Sequence, residues 1–176
     1  LRELIAAANE AQAMMYQALF EEVRRQWPHA SMAINWCYNE PWPTAAGNGL
    51  VNYPARPRRA YYGVKEALRG RKLSLGFSRI AWRPGEQMQV TAWALNDTAS
   101  SIPDGYAVIL LEADGRESVL GEWRCRQTQP WSNQKGETFT FTVPKTKNGR
   151  FGLKIVSKRE LELHAEYSFF VHENAV

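Results

Sequence analysis

With 176 residues, the chain has room for one ordinary domain, or for a domain of about 100 residues with a helical appendage. Hydrophobic residues make up 44% and charged residues 23%, and no apolar run approaches the roughly 20 residues of a membrane helix, which excludes a helical membrane span. The formal charge of +4 is spread along the chain apart from short runs at Arg56-Pro57-Arg58-Arg59 and Arg69-Gly70-Arg71-Lys72, a pattern of solvated faces and helix ends, so neither a nucleic-acid nor a membrane partner is expected.

From Leu4 to Trp27 the apolar residues fall at helical spacing. Leu4, Ala8, Ala11, Met15 and Leu19 form one stripe; Tyr16, Phe20, Val23 and Trp27 form an adjacent one, so the predicted helix packs on a broad surface. The chain opens inside this helix with neither an initiator Met nor an export signal, which reads as a cut in a longer protein. Trp27-Pro28-His29 ends the helix, because proline cannot continue the hydrogen-bond ladder, and residues 31–36 (SMAINW) read as a short buried strand. A loop rich in Pro, Gly and Asn runs over residues 38–56. Pro57 then suits a first helical turn, with Ala60, Tyr61, Val64 and Leu68 at helical spacing until Gly70, a C-terminal cap.

After Lys72 the period drops from near 3.6 to 2. The clearest run is 137–143, where Phe139, Phe141 and Val143 alternate with Thr138, Thr140 and Thr142, the pattern of a half-buried antiparallel strand. Similar runs occupy 73–80, 87–95, 106–113, 118–125, 151–157 and 164–171, separated by turn signals such as Pro84-Gly85, Asn96-Asp97, Asp114-Gly115 and Asn148-Gly149. About seven short strands in about 100 residues indicate an immunoglobulin-like sandwich. The predicted fold is therefore α+β. Residues 1–70 form a helix-strand-helix piece of a (β/α)8 barrel, too short to close one, and residues 71–176 an all-β immunoglobulin-like sandwich.

The chemistry-bearing residues are sparse. Cys37 and Cys125 lack metal-ligand spacing, His29, His164 and His172 do not cluster, and no phosphate loop, nucleophile elbow, zinc motif or Asp cluster for calcium is present, so no metal or cofactor is expected. One stretch stands out: NWCYNEPWP, residues 35–43, sets Asn39-Glu40 between Trp36 and Trp42. Indole faces stack on sugar rings, and a carboxyl group can protonate a glycosidic oxygen.

Trp36, Asn39, Glu40, Trp42-Pro43, Asn52-Tyr53, Arg56-Pro57-Arg58 and Tyr61-Tyr62 form a spaced set that resembles glycoside hydrolase family 2, in its β-mannosidase and exo-β-glucosaminidase branch. In that branch the eighth barrel strand ends in a Trp, followed after two residues by Asn-Asp and, one residue on, Trp-Pro. An Asp-Tyr, Arg-Pro-Lys and Tyr-Tyr series then leads into the last barrel helix. The chain departs in Glu40 and Asn52 where the family has Asp, in Arg58 where it has Lys, and in Pro54-Ala55 where it often has Tyr-Gly. The likeness covers residues 12–68; beyond residue 73 it rests on domain order, the Leu95-Asn96-Asp97 turn and the Glu166-Tyr167 strand.

The resemblance implies that this is the last piece of the barrel plus the C-terminal sandwich of a glycosidase acting on a β-linked glycan, periplasmic or secreted. It implies too that both catalytic carboxylates, which end the fourth and seventh barrel strands, lie upstream, so the isolated chain is expected to be inactive. Glu40 is then a loop carboxylate holding backbone or capping groups, with a role as acid or base as the competing reading. Trp36 is either the pocket floor under the sugar or a core residue between strand and helix. Asn39 bonds a sugar hydroxyl or its own loop, and Trp42 packs the loop. Two other readings compete. One is a non-catalytic carbohydrate-binding sandwich that uses Trp82, Trp93, Trp123 or Trp131, which otherwise belong to core and interdomain packing. The other is an interaction module forming a homo-oligomer through the unpaired strand at residues 31–36.

Overall fold

The computed structural model describes residues 1–44 and 49–172. The chain divides into two compact units, Leu1–Arg69 and Gly70–Val176.

In the first unit α1 (Arg2–Arg25) packs against α2 (Arg59–Ala67). Phe20, Leu50, Val51, Ala60, Val64 and Ala67 form its core, with Tyr16, Ala33 and Tyr61 against them. The face that α1 buries is mostly polar, with Gln17, Glu21, Arg24 and Arg25 beside Phe20. Glu21 is fully buried, and its carboxylate accepts from Gln17 Nε2 at 3.2 Å and pairs with Arg25 Nη1 at 3.6 Å. Arg24 donates to the carbonyl of Ala67, a tie from α1 to the end of α2. Both predicted helices are present. Only the Tyr16, Phe20 and Val23 stripe of α1 turns inward, however, and Leu4, Ala8, Met15 and Leu19 are exposed.

The strand expected at residues 31–36 is not formed. Ala33 packs on the core and Asn35 is half-buried, but Met32, Ile34 and Trp36 are exposed, and no ladder bonds form along the segment. The physical reason is a want of neighbours. A parallel strand takes its backbone partners from strands on either side, and the ladder described in this unit joins two-residue β1 (Val51–Asn52) to β2 (Arg56–Pro57).

The second unit is a two-sheet β-sandwich. Its three-stranded sheet has the order β3 (Arg71–Gly76), β5 (Gln87–Asn96), β8 (Ser132–Thr142). The five-stranded sheet runs β4 (Ala81–Trp82), β10 (His164–Val171), β9 (Arg150–Ser157), β6 (Gly105–Ala113), β7 (Arg116–Cys125). Each of the seven runs of alternating residues contains a strand, although the one expected over 73–80 stops at Gly76, whereas two-residue β4, parallel to β10, is too short to leave a periodic signal. Between the sheets lie Leu75, Met88, Val90, Ile109, Trp123, Leu153, Ile155 and Phe169, among others. The β6–β7 hairpin closes through Asp114 (φ 50°) and Gly115 (φ 77°), two successive positive φ values, the type I′ signature that Asp-Gly favours.

Candidate functional site

The loop between residues 36 and 58 holds the residues singled out by sequence, and backbone bonds fold it back on itself. Tyr38 O accepts the N–H groups of Leu50 at 2.9 Å and Val51 at 3.0 Å, and Glu40 N–H donates to Val51 O at 3.0 Å, so Asn39 bridges to Val51. Arg58 N–H donates to Leu50 O at 2.9 Å. Its guanidinium reaches Gly49 O and Asn9 Oδ1, each at 3.4 Å, tying loop to helix. On the near side Asn35 is clamped, accepting from Tyr16 OH and donating to Cys37 O at 3.0 Å. Cys37 (φ 67°) and Ala55 (φ 98°) hold left-handed backbone conformations that residues with a Cβ rarely adopt, near the two ends of the folded loop.

This fold-back encloses a cleft of about 540 Å³ lined by Tyr38, Asn39, Glu40, Asn52 and Tyr53, among others. Its walls combine two exposed phenol rings with amide and carboxylate groups, a composition suited to a polyhydroxylated ring: apolar C–H faces against aromatics, hydroxyls against amides.

The predicted residues separate on inspection. Asn39 is exposed on the cleft wall. Glu40 is only 9% exposed, and its Oε1 is buried with no hydrogen-bond partner among the described residues. A Cβ on Gly49 would sit 3.4 Å from Glu40 Cγ, which shows how closely the returning strand covers this side chain. Trp36 is 81% exposed and lies outside the cleft lining, neither a core residue nor a cleft wall. Trp42, expected to pack the loop, is exposed as well. Tyr38, Asn52 and Tyr53 were not singled out as site residues from the sequence. Tyr38 carries no pattern of its own, and Asn52-Tyr53 showed only as part of the spaced set. Among the described residues no group of three or more His, Cys, Asp or Glu side chains is placed to hold a metal.

In the sandwich Trp82 and Trp123 are core residues. The Trp82 indole N–H donates to Arg79 O at 3.1 Å, and the Arg79 guanidinium lies 4.0 Å over its ring. Trp93 is half-buried with Lys135 Nζ 5.9 Å from its ring, and Trp131 is 63% exposed. Cys125 is buried, which pushes its thiol up from 9.0 to about 11 against the opposing effect of Thr128.

No family model matches the chain, and no curated protein matches it in sequence. Among solved structures the chain is similar to a β-D-mannosidase from Dictyoglomus thermophilum, at 18% identity and a TM-score of 0.57, over 86% of this chain and 18% of that one. The chain thus spans less than a fifth of that enzyme's length, and the likeness is one of fold. More distant likenesses include a β-glucosidase from Listeria innocua (11% identity, TM-score 0.41, 60% of this chain and 17% of that one). Another is the CARDB domain of a Pyrococcus furiosus protein (10% identity, TM-score 0.44, 60% of this chain and 96% of that one).

Proposed function

We propose that this chain is the C-terminal part of a retaining glycoside hydrolase of family 2, in the β-mannosidase and exo-β-glucosaminidase branch. In this reading residues 1–70 are the last helix-strand-helix piece of its (β/α)8 barrel and residues 71–176 its immunoglobulin-like domain. The observation that carries the reading is the spaced set Trp36, Asn39, Trp42-Pro43, Asn52-Tyr53, Arg56-Pro57-Arg58 and Tyr61-Tyr62, and the fold likeness to the Dictyoglomus enzyme supports it. Residues 31–36 pair as a strand only where barrel neighbours flank them, in keeping with their lack of ladder bonds here.

Retaining hydrolysis needs two carboxyl groups about 5 Å apart, one to protonate the leaving oxygen and one to attack the anomeric carbon. Glu40 is assigned neither role, since the spaced set aligns Asn39-Glu40 with the loop after the eighth barrel strand and not with the strands that carry the two carboxylates. Both catalytic carboxylates are assigned to upstream strands. This chain supplies sugar contacts instead: Asn39 as a hydrogen-bonding amide beside the Tyr38, Asn52 and Tyr53 walls, and Trp36, which stands exposed outside that cleft, as a separate apolar face for the C–H side of a pyranose. The test is turnover of aryl β-mannoside, β-glucosaminide, β-galactoside and β-glucuronide by the isolated chain. The expected rate is that of buffer alone; turnover abolished by Glu40→Gln refutes the proposal.

A second reading, a carbohydrate-binding sandwich, draws on the exposure of Trp131. It requires saturable binding to a polysaccharide that Trp131→Ala removes, whereas Trp82 and Trp123, being core residues, are not free to take part.

A further inference from the structure

The turn that leads into β9 sets a side-chain amide beside a backbone nucleophile. Asn148 is exposed and is followed by Gly149, whose left-handed backbone (φ 68°) directs the chain into the strand. The Asn148 side chain folds back over the intervening peptide, because its Oδ1 accepts the N–H of Arg150 at 3.0 Å in an Asx turn. That bond withdraws electron density from the side-chain carbonyl and faces the oxygen on which charge develops when its carbon is attacked. Among the described residues the Gly149 N–H and the Asn148 Nδ2 have no hydrogen-bond partner, so neither nucleophile nor leaving nitrogen is held. Asn96 shows the opposite arrangement: it is fully buried, and its Nδ2 donates to Ser100 O at 2.9 Å and to Gln129 O at 2.8 Å.

We infer that Asn148 is a site of spontaneous deamidation and isomerisation, with water as the co-reactant. The Gly149 nitrogen, its proton lost to solvent base, attacks Cγ of Asn148. The Cγ–Nδ2 bond breaks, the amide nitrogen leaves as ammonia, and a cyclic imide closes. Gly149 has no Cβ to crowd the attacking nitrogen. Water then opens either carbonyl of the imide: attack at Cγ gives aspartate, and attack at the main-chain carbonyl gives isoaspartate, in which the chain runs through Cβ. Isoaspartate lengthens the main chain by a carbon just ahead of Gly149, whose carbonyl accepts the Val171 N–H at 2.7 Å beside the Arg150–Phe170 pair of β9 and β10. In the isoaspartate form that bond is lost and the end of β10 frays. The inference concerns the sandwich alone and does not depend on the glycosidase reading.

The test is to incubate the 176-residue chain at physiological temperature, at mildly acidic and mildly alkaline pH, and to map it by chymotryptic digestion, mass spectrometry and isoaspartyl methylation. The expected result is conversion of Asn148, faster at the higher pH, with Asn96 intact. Asn48-Gly49, the other Asn-Gly pair in the sequence, falls in a different peptide and is scored apart. The folded chain converts Asn148 at least as fast as a synthetic peptide of residues 144–152, in which nothing holds the Arg150 bond in place. Amide hydrogen exchange at Val171 quickens in the isoaspartate form by roughly fivefold to tenfold, the loss of a single hydrogen bond. Asn148→Asp, which adds the charge without the extra carbon, leaves that exchange unchanged. An Asn148 that stays intact, or that converts more slowly in the folded chain than in the peptide, overturns the inference, since the Arg150 bond then protects the side chain. Unchanged exchange at Val171 in the isoaspartate form overturns the fraying of β10.

Discussion

A Cβ on Gly63 would lie 2.4 Å from the carbonyl oxygen of Ala13, closer than any real side chain is found to backbone. The α1–α2 contact that supports the candidate loop therefore depends on a residue without a side chain at the crossing point.

Helix propensity alone favours Ala over Gly inside a helix by about 1 kcal/mol. Here the clash is with backbone that cannot rotate away, so Gly63→Ala is expected to destabilise the first unit, by about 1–3 kcal/mol. Urea unfolding followed by circular dichroism reads the sign directly. An increase in stability would mean that the helices do not approach so closely.

Tyr167 makes a comparable tie in the sandwich. Its hydroxyl accepts the N–H of Leu75 at 3.0 Å, on the free edge of β3, and donates to Ser74 Oγ at 3.3 Å. Tyr167→Phe keeps the ring and leaves a buried N–H unsatisfied, so a loss of about 1–3 kcal/mol is expected in denaturant titration. A loss below a few tenths would show that water takes over the bond.

The two thiols should differ sharply. Cys37 is exposed and Cys125 buried, so a disulfide reagent at mildly alkaline pH should label one thiol quickly and the second only on unfolding. With the Cys125 thiol at about 11 when folded, against 9.0 as the ordinary value, the native state retains a proton that the unfolded state loses between those values. Its contribution to stability is thus intact below pH 9 and lost as pH rises toward 11. Cys125→Ser should flatten that part of the pH–stability curve, and an unchanged slope would assign it to other groups.

How legible this was depended on whether the pattern lay within one element or between elements. Phe139, Phe141 and Val143, alternating with threonines, were sufficient to mark their strand, since a half-buried strand writes its burial into every second residue. The Asp114-Gly115 turn was equally plain, because few residues accept two positive φ values. The buried side of α1 was legible only in its Tyr16, Phe20 and Val23 stripe: Gln17, Glu21 and Arg24 look like a solvated face until Gln17 and Arg25 are seen to satisfy Glu21, and Arg24 is seen to donate to Ala67. Residues 31–36 have a core strand's composition, but a strand also needs neighbours, and the sequence of one segment does not say where they are. In the candidate site, Asn39-Glu40 drew notice through the flanking tryptophans. The cleft owes its shape to the return of Leu50 and Val51 onto Tyr38 O, a long-range bond that no local spacing records.

The central claim, a glycosidase C-terminus that contacts sugar without cleaving it, is tested most directly by the Trp36 indole N–H resonance. We would assign it with Trp36→Phe and follow it while titrating the chain with β-linked manno- and glucosamine oligosaccharides to millimolar concentration. The account predicts a saturable shift of the Trp36 signal that Asn39→Ala weakens, with the oligosaccharides recovered intact. A shift confined to Trp131 and Trp93, or cleavage of the sugars that depends on Glu40, would contradict it.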